Sequence, residues 1–198
     1  MEKSATEAQF AALVSQVLWP HFKHRGFRKA GNNFRWLHPD GSGKIMQLQR
    51  STSSSRHHIQ FTLNAGLYLP EANRWHAPTT AFAESLCVVR QRIGTLKKAH
   101  DQWYALAPEV NVPSLYQAVE QDVVQYILPF LDQVSSRADI LRLITSVPHL
   151  ASDVNAIEVL QANGNLEAAA ARLQQALANA KSPANRQYWR DLALELGL

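Results

Sequence analysis

Hydrophobic and polar residues alternate most regularly over residues 59–68, and this alternation predicts a β-strand. The apolar side consists of Ile59, Phe61, Leu63, Ala65 and Leu67. The other side carries His58, Gln60, Thr62, Asn64, Gly66 and Tyr68. A period of two residues sends successive side chains to opposite faces, so the predicted sheet has one buried face and one polar face.

Two shorter alternating stretches, residues 33–38 and 44–50, predict the strands that precede it. Residues 39–43, between them, contain Pro, Asp and Gly, which are typical of a tight turn because they readily adopt turn backbone angles. Residues 51–55 are small and polar and predict a second short connection. Three consecutive strands with short connections predict an antiparallel meander.

A helical period of hydrophobic positions predicts an N-terminal helix over residues 6–25, against which the sheet packs. Ser4 and Glu7 have the spacing of a capping box, in which each side chain accepts a hydrogen bond from the other residue's backbone amide. Gly26 is typical of a residue that ends a helix. Pro20 is expected to kink or break the last turn, because proline lacks an amide hydrogen and clashes with the preceding turn.

The centre of the chain gives weaker signals. Residues 70–80 contain two prolines and predict a loop, and residues 88–96 are a candidate for a further strand. Residues 103–106 form an apolar island between polar neighbours. Apolar spacing over residues 112–134 predicts a central helix, which Pro129 is expected to kink.

The segment from residue 135 onward has a helical period throughout. Helices are predicted over residues 137–146, 152–162, 166–180 and 185–196. Residues 164–177 resemble a tetratricopeptide hairpin, and one such repeat is expected to dock on the sheet or on another chain because it buries too little apolar surface alone. We therefore predict an α+β fold in two parts. Residues 1–134 form a meander packed against the N-terminal and central helices, and residues 135–198 form a helical tail.

Composition is that of a globular protein in a reducing compartment. Of 198 residues, 46% are hydrophobic and 18% charged, which excludes a disordered chain. A single cysteine, Cys87, excludes an intramolecular disulfide. We expect a cytoplasmic protein, because the N-terminus lacks the order of a secretory signal and no apolar run approaches the about 20 residues that span a bilayer. The formal net charge of +4 permits acidic proteins or nucleic acid as partners.

Six motifs occur in an order that resembles a known family. They are Gly-Phe-Arg-Lys at 26–29 before Asn-Phe at 33–34, Gln-Leu-Gln-Arg-Ser at 47–51, Phe-Thr-Leu-Asn-Ala-Gly-Leu at 61–67, Arg-Ile-Gly-Thr-Leu at 92–96, Asp-Gln-Trp-Tyr at 101–104 and Leu-Pro-Phe-Leu at 128–131. Over about residues 6–144 the chain resembles the bacterial family called domain of unknown function 4304. The resemblance implies an α+β fold and supplies no catalytic residues. Members resemble small bacterial proteins often encoded near toxin genes, so the resemblance implies an immunity role.

The polar side of the predicted sheet is the candidate binding surface. If the strands at 44–50 and 59–68 pair, their polar side chains share one face with the connecting loop. The candidate partner-binding residues are Gln49, Ser51, Arg56, His58, Gln60, Thr62 and Asn64. Amides and hydroxyls donate and accept hydrogen bonds but do not titrate near neutral pH, which favours binding over catalysis. An ordinary solvated face, or a face covered by the helix at 112–134, is the alternative.

Residues 21–36 interleave basic and aromatic side chains, a pattern typical of surfaces that bind single-stranded nucleic acid. The aromatic residues are Phe22, Phe27, Phe34 and Trp36. In the simpler interpretation these rings fill the core while the basic groups stay in water. An electropositive patch for an acidic protein is an intermediate interpretation.

No arrangement typical of a catalytic or metal site stands out. His57 and His58 are adjacent on a predicted strand and point to opposite faces, which disfavours a shared metal ion. His21 and His24 lie among cations, which also disfavours a metal. Cys87 is expected to be a buried hydrophobic residue rather than a nucleophile. We therefore expect no cofactor and no catalysis, and an enzyme with a small ligand in a sheet pocket is the remote alternative.

The resulting hypothesis is a non-catalytic protein-binding module, most specifically a cytoplasmic immunity or antitoxin protein that binds and neutralises a cognate bacterial toxin. A basic inhibitor does not mimic nucleic acid, so the toxin's contact surface is expected to be neutral or acidic. The alternative is a nucleic-acid-binding domain that uses residues 21–36.

Overall fold

The structure is a computed structural model that describes residues 3–73 and 77–198. Over these residues the chain has the predicted α+β fold, an antiparallel sheet packed with helices. The strands are β1 (Arg28–Ala30), β2 (Asn33–Leu37), β3 (Gly43–Arg50), β4 (Ile59–Tyr68), β5 (Val89–Arg92) and β6 (Tyr104–Leu106). The helices are α1 (residues 5–23), α2 (Ile93–Leu96), α3 (residues 112–132), α4 (Arg137–Ser146), α5 (Asp153–Ala162), α6 (Leu166–Asn179) and α7 (Pro183–Leu196). None of these helices has the length and apolar character needed to cross a bilayer.

The sheet extends the predicted meander on both sides. Its order is β1-β2-β3-β4-β5, and β6 pairs with the first residues of β4, next to β5. The three predicted strands are confirmed as β2, β3 and β4. β5 takes the first half of the candidate strand at 88–96, and α2 takes the second half. The loop predicted over 70–80 includes residues 74–76, which lie outside the described residues.

The apolar face of the sheet and the helices that cover it form the core. Phe61 and Leu63 of β4 are fully buried, as are Leu18 of α1 and Val123 of α3. They belong to one continuous hydrophobic cluster, which reaches Ile144 in α4. Burial of apolar surface stabilises the fold by roughly 25 cal/mol per Å². Because α1 and α3 occupy this face, they leave the opposite, polar face of the sheet to other contacts.

Both long helices continue through a proline. In α1 a π turn (Leu13–Leu18) precedes Pro20, and the amide of Trp19 donates to the carbonyl of Val14, five residues back. The same arrangement precedes Pro129 in α3. A π turn is wider than an α turn, so it accommodates a proline ring that would clash with the preceding turn of a regular helix. The helix therefore continues past Pro20 instead of breaking there.

The four C-terminal helices occur where the sequence predicts them, and a polar cluster links the start of α4 and the end of α5 to segments beside the sheet. Arg137, the first residue of α4, donates to the backbone carbonyl of Asp40 at 2.9 Å and pairs with Glu71. It also donates to the side chain of Asn163, just after α5, at 3.2 Å. One guanidinium therefore joins the β2–β3 turn, the segment after β4 and the end of α5.

Candidate functional site

The polar face of the sheet brings together five of the predicted binding residues. The register pairs Gln49 of β3 with Thr62 of β4. The backbone amide of Ser51 donates to the carbonyl of Gln60 at 2.9 Å, which continues the pairing past the end of β3. Asn64 lies two residues beyond Thr62, so both side chains are on the same face. The alternation of the sequence therefore predicts the composition of this face.

Thr62 lies beneath a loop, not at the surface. Its side chain is fully buried, and its hydroxyl donates to the backbone carbonyl of Gln102 at 2.8 Å. Gln102 belongs to the loop of residues 97–103, which connects α2 to β6 and covers this part of the polar face. The central helix α3 is not the cover. A partner cannot reach Thr62, and the predicted binding residue Asn64 is also buried, at 3% exposed, so on this face any contact falls to the half-buried Gln49, Ser51 and Gln60.

Arg56 and His58 lie in the exposed loop between β3 and β4. The loop is tied to the start of α1, where the hydroxyl of Ser4 donates to the carbonyl of Arg56. The hydroxyl of Thr6 donates to the carbonyl of His57 at 3.3 Å. This loop is at the end of β4 that does not pair with β5, and Arg56 Nε lies 3.7 Å from the carboxylate of Glu7 in α1, so Arg56 is directed toward α1 and not toward the amides of the polar face.

A row of amide side chains crosses the polar face from β2 to β5. Gln47 donates to Asn33 at 3.1 Å. Asn64 donates to Gln47 at 3.3 Å and to Gln49 at 2.8 Å. Arg92 completes the row, donating from Nε to Asn64 at 3.3 Å and from Nη2 to Gln49 at 3.4 Å. We call Asn33, Gln47, Asn64 and Arg92 the amide row. Its donors all point the same way along the row, so each hydrogen bond polarises the next.

An exposed aromatic ring lies at the β5 end of the amide row. Trp103 is 40% exposed, and the guanidinium of Arg92 lies over its ring, 5.5 Å from the centroid. Arg92 Nη1 and Trp103 Nε1 donate to the Asp101 carboxylate at 2.9 and 3.0 Å. Desolvation works to raise the pKa of Asp101, but these hydrogen bonds and the charge of Arg92 outweigh it and lower the pKa. Asp101 therefore stays ionised and holds Arg92 against Trp103.

Arginines form a second row beside the amide row. Arg28 and Arg35 are directly opposite each other on β1 and β2, and Arg90 of β5 lies on the same face. Arg90 makes a two-point contact with Glu84, with both distances 3.0 Å. A cleft of ≈ 450 Å³ lies between Glu84 and Asp101. With the guanidinium of the amide row, the described part of this face carries four arginines and two carboxylates, and it is therefore basic.

A buried carboxylate anchors the loop that carries Trp103. Asp122 of α3 is 7% exposed and accepts from the hydroxyl of Tyr104 at 2.5 Å and from the amide of Gln102 at 3.0 Å. Lys97 Nζ lies 2.8 Å from the Oδ1 atom of the same carboxylate. Burial raises the pKa of Tyr104 well above its usual value, and the hydrogen bond to Asp122 acts in the same direction. Tyr104 therefore remains a neutral donor, and both ends of the loop are fixed to α3.

Several residues of this site lie outside the predicted set. Gln47 shares the alternation of Gln49, so the sequence carries a signal for it. Arg92 lies on a strand whose pairing with β4 depends on contacts distant in sequence, which no local pattern reveals. Trp103 begins the apolar island at 103–106, and an apolar island is as typical of a core strand as of an exposed rim.

The basic and aromatic stretch at 21–36 places its rings mostly in the core. Phe22, Phe27 and Phe34 are buried. Trp36 is half-buried, and Lys44 Nζ lies 4.8 Å from its ring centroid. Three of the four rings are therefore out of reach of nucleic-acid bases and cannot stack on them. Nucleic-acid binding by this stretch stays a prediction.

The polar face carries amides, hydroxyls and charged groups. Within residues 3–73 and 77–198, no group of three or more His, Cys, Asp and Glu is placed to hold a metal ion. Cys87 is 1% exposed, and burial raises the pKa of its thiol well above the usual value. A buried, protonated thiol is a poor nucleophile, and Cys87 packs as the expected small hydrophobic residue. The face presents hydrogen-bond donors, acceptors and positive charge.

Comparisons with known proteins agree with the resemblance of the motifs. Residues 18–133 match a family described as a domain of unknown function (DUF4304). Searches of curated proteins and of solved structures found no match to the chain. The matched segment runs from the end of the π turn in α1 to the end of α3, and it includes the whole sheet.

Proposed function

The chain belongs to the DUF4304 family, whose function is unknown, and from this premise we propose that it is a non-catalytic protein-binding module. The polar face of the sheet is the contact surface. The observation that carries the proposal is Trp103, an aromatic ring 40% exposed and stacked against Arg92 at the rim of a hydrogen-bonded polar surface. Trp and Arg are enriched among the residues that dominate the energy of protein interfaces.

The amide row supports the proposal because its side chains are held in place before a partner arrives. Hydrogen bonds already fix Gln47, Asn64 and Arg92, so binding costs less side-chain entropy than ordering free side chains would. The amide nitrogens of Asn33 and Gln49 have no acceptor within the described part of the chain. These two donors remain available to a partner.

In its most specific form, the proposal is a cytoplasmic bacterial immunity protein that binds and neutralises a toxin. The family resemblance supports this form, together with a surface of recognition groups. The segment of residues 164–177, whose sequence resembles a tetratricopeptide hairpin, would extend the contact. The basic character of the polar face favours a toxin with an acidic contact surface over one whose surface is built to hold nucleic acid.

Co-expression of the chain with the product of the adjacent gene tests the proposal. We expect the two proteins to copurify, and we expect the chain to restore growth where that product is toxic. Absence of both results with the wild-type chain would rule out this form of the proposal.

Two aromatic variants test the contact surface itself. Trp103→Ala is expected to abolish copurification, because truncating a dominant interface residue typically costs about 2 kcal/mol or more, about 30-fold in affinity. Tyr188→Ala is the matched control, since Tyr188 is 47% exposed on α7 and lies outside the sheet. If the two variants behave alike, the polar face is not the contact surface.

A further inference from the structure

Two arginines and an amide meet at the edge of the polar face that is opposite to Trp103. Arg28 and Arg35 are a directly opposed cross-strand pair, and Asn33 lies two residues from Arg35 on the same face. Directly opposed residues of an antiparallel pair have Cβ atoms about 5 Å apart, so two like charges there repel each other. We call Arg28, Arg35 and Asn33 the arginine corner.

The charges of the arginine corner lack counter-ions. Within the part of the chain that the structure describes, no carboxylate forms an ion pair with Arg28 or Arg35, whereas Arg90 and Arg92 each have one. Arg35 Nε donates to the backbone carbonyl of Phe82 at 2.6 Å, which orders the side chain without neutralising it. Desolvation by burial lowers the pKa of Arg35 from its usual value, as expected for a cation held away from water.

The amide row ends at the arginine corner, where its last residue provides a hydrogen-bond donor. Asn64 and Gln47 each accept from the neighbour on the Trp103 side and donate to the next residue toward β2, and the last acceptor is the Asn33 oxygen. The amide nitrogen of Asn33 has no acceptor among the described residues, so the row ends in an unsatisfied donor. Two guanidinium groups and one amide therefore present donors alone at one edge of the sheet.

We propose that the arginine corner binds a carboxylate side chain of an acidic segment in the partner protein. The inference rests on the proposed function, because it takes the polar face as the contact surface. A planar guanidinium matches a carboxylate with two parallel hydrogen bonds, and an anion between Arg28 and Arg35 offsets their repulsion.

The far side of the face favours a protein segment over nucleic acid. Glu84 and Asp101 place two carboxylates beside the cleft near β5. Both carboxylates are already paired with Arg90 and Arg92, so among the described residues of this face a phosphate backbone would find unpaired arginines only at the corner. A peptide can carry a carboxylate at the corner and neutral groups over the amide row. The acidic segment therefore lies with its carboxylates toward β1 and its uncharged residues toward Trp103.

Fluorescence anisotropy with the full chain tests the corner. The probes are fluorescein-labelled hexaglutamate, hexaglutamine and a hexathymidylate oligonucleotide. We expect hexaglutamate to bind most tightly and the double variant Arg28→Gln/Arg35→Gln to weaken it about tenfold, about threefold for each partly exposed pair. Tighter binding of hexathymidylate than of hexaglutamate would overturn the proposal.

Lys181→Gln/Arg190→Gln is the matched control, because it removes the same two charges from exposed positions in the helical tail. Equal weakening by both double variants would mean that only net charge matters, and the corner would have no role. The single variant Arg28→Gln, at an exposed position on the edge strand β1, is expected to weaken binding about threefold and to fold normally.

The two proposals can fail separately. If Trp103→Ala loses a copurifying partner while Arg28→Gln/Arg35→Gln keeps its full affinity, the corner is wrong and the protein-binding function stands. If Trp103→Ala keeps the partner while hexaglutamate binding depends on the two arginines, the corner binds carboxylates but the polar face is not the partner surface.

Discussion

Replacing Asp122 with asparagine tests how the loop that carries Trp103 is held in place. The carboxylate of Asp122 accepts from Tyr104 and Gln102 and pairs with Lys97. Asparagine has nearly the same shape, but it removes the charge and replaces one acceptor oxygen with a donor. The side chain of Lys97, 26% exposed, would lose its counter-ion and face the new amide, because Tyr104 and Gln102 both donate to the other oxygen, Oδ2, which asparagine can retain only as a neutral acceptor.

The cost follows from the burial of these groups. Breaking a fully buried ion pair by removing one partner costs about 3–5 kcal/mol, and the partial exposure of Lys97 reduces this to about 2 kcal/mol. Loss of the charged acceptor for the Tyr104 hydroxyl adds about 1 kcal/mol. We expect Asp122→Asn to lower the free energy of unfolding by about 3 kcal/mol, a decrease in Tm of about 6–12 °C for a chain of this length.

Urea denaturation followed by tryptophan fluorescence measures this change. Asp132→Asn is the matched control on the same helix, because Asp132 pairs with Arg25 at the surface and both side chains are more than a third exposed. The control is expected to change the free energy of unfolding by less than about 0.5 kcal/mol. Equal, small effects of the two substitutions would refute the claim that the buried cluster holds the loop.

Three further substitutions probe the surroundings of the face. Gly66→Ala would put a Cβ atom 2.6 Å from Cys87 Sγ, so it should lower the free energy of unfolding in urea melts by about 1–3 kcal/mol. The decrease should be smaller when Cys87 is also replaced by alanine. An equal decrease with and without Cys87→Ala would contradict this contact. Lys98 has φ 53°, so Lys98→Gly should raise the free energy of unfolding by about 0.5–1 kcal/mol, and no gain would show that the turn is unstrained. Hydrogen bonds donated by Ser135 and Ser136 hold the pKa of Asp139 well below its usual value. The ionised Asp139 side chain therefore stabilises the fold fully above its unfolded pKa, near 3.8, and this stabilisation decreases as the pH falls below that value. Between pH 6 and pH 3 the free energy of unfolding should decrease less for Asp139→Asn than for the wild type. Equal decreases for the two proteins would contradict this linkage.

Local patterns predict those elements whose signal lies within the element. Strict alternation predicts β4 at its observed bounds, 59–68. The helical period predicts α4 at 137–146, where Ser136 and Asp139 form a capping box. β1 is three residues long with no apolar face, so it carries no period to detect. The break expected at Pro20 does not occur, because a π turn accommodates the ring and the helix continues to Lys23, while the kink expected there stays a prediction.

The site shows the same division between local and distant information. Alternation in the sequence predicts which residues form the polar side of β4, and it predicts the polar side of the neighbouring strand β3 in the same way. The burial of Thr62 depends on Gln102, forty residues away, and no periodicity reports such a contact. The guanidinium of Arg92 joins the amide row only because β5 pairs with β4. Sequence therefore predicts which side chains share a strand face, and the fold decides which of them a partner can reach.

The affinity of a copurified partner for three forms of the chain tests the central claim most directly. Isothermal titration calorimetry would compare the wild type with Trp103→Ala and Tyr188→Ala. If the polar face binds the partner, Trp103→Ala raises Kd about 30-fold or more and Tyr188→Ala leaves it unchanged. An unchanged Kd for Trp103→Ala, in a variant that melts like the wild type, would contradict the account.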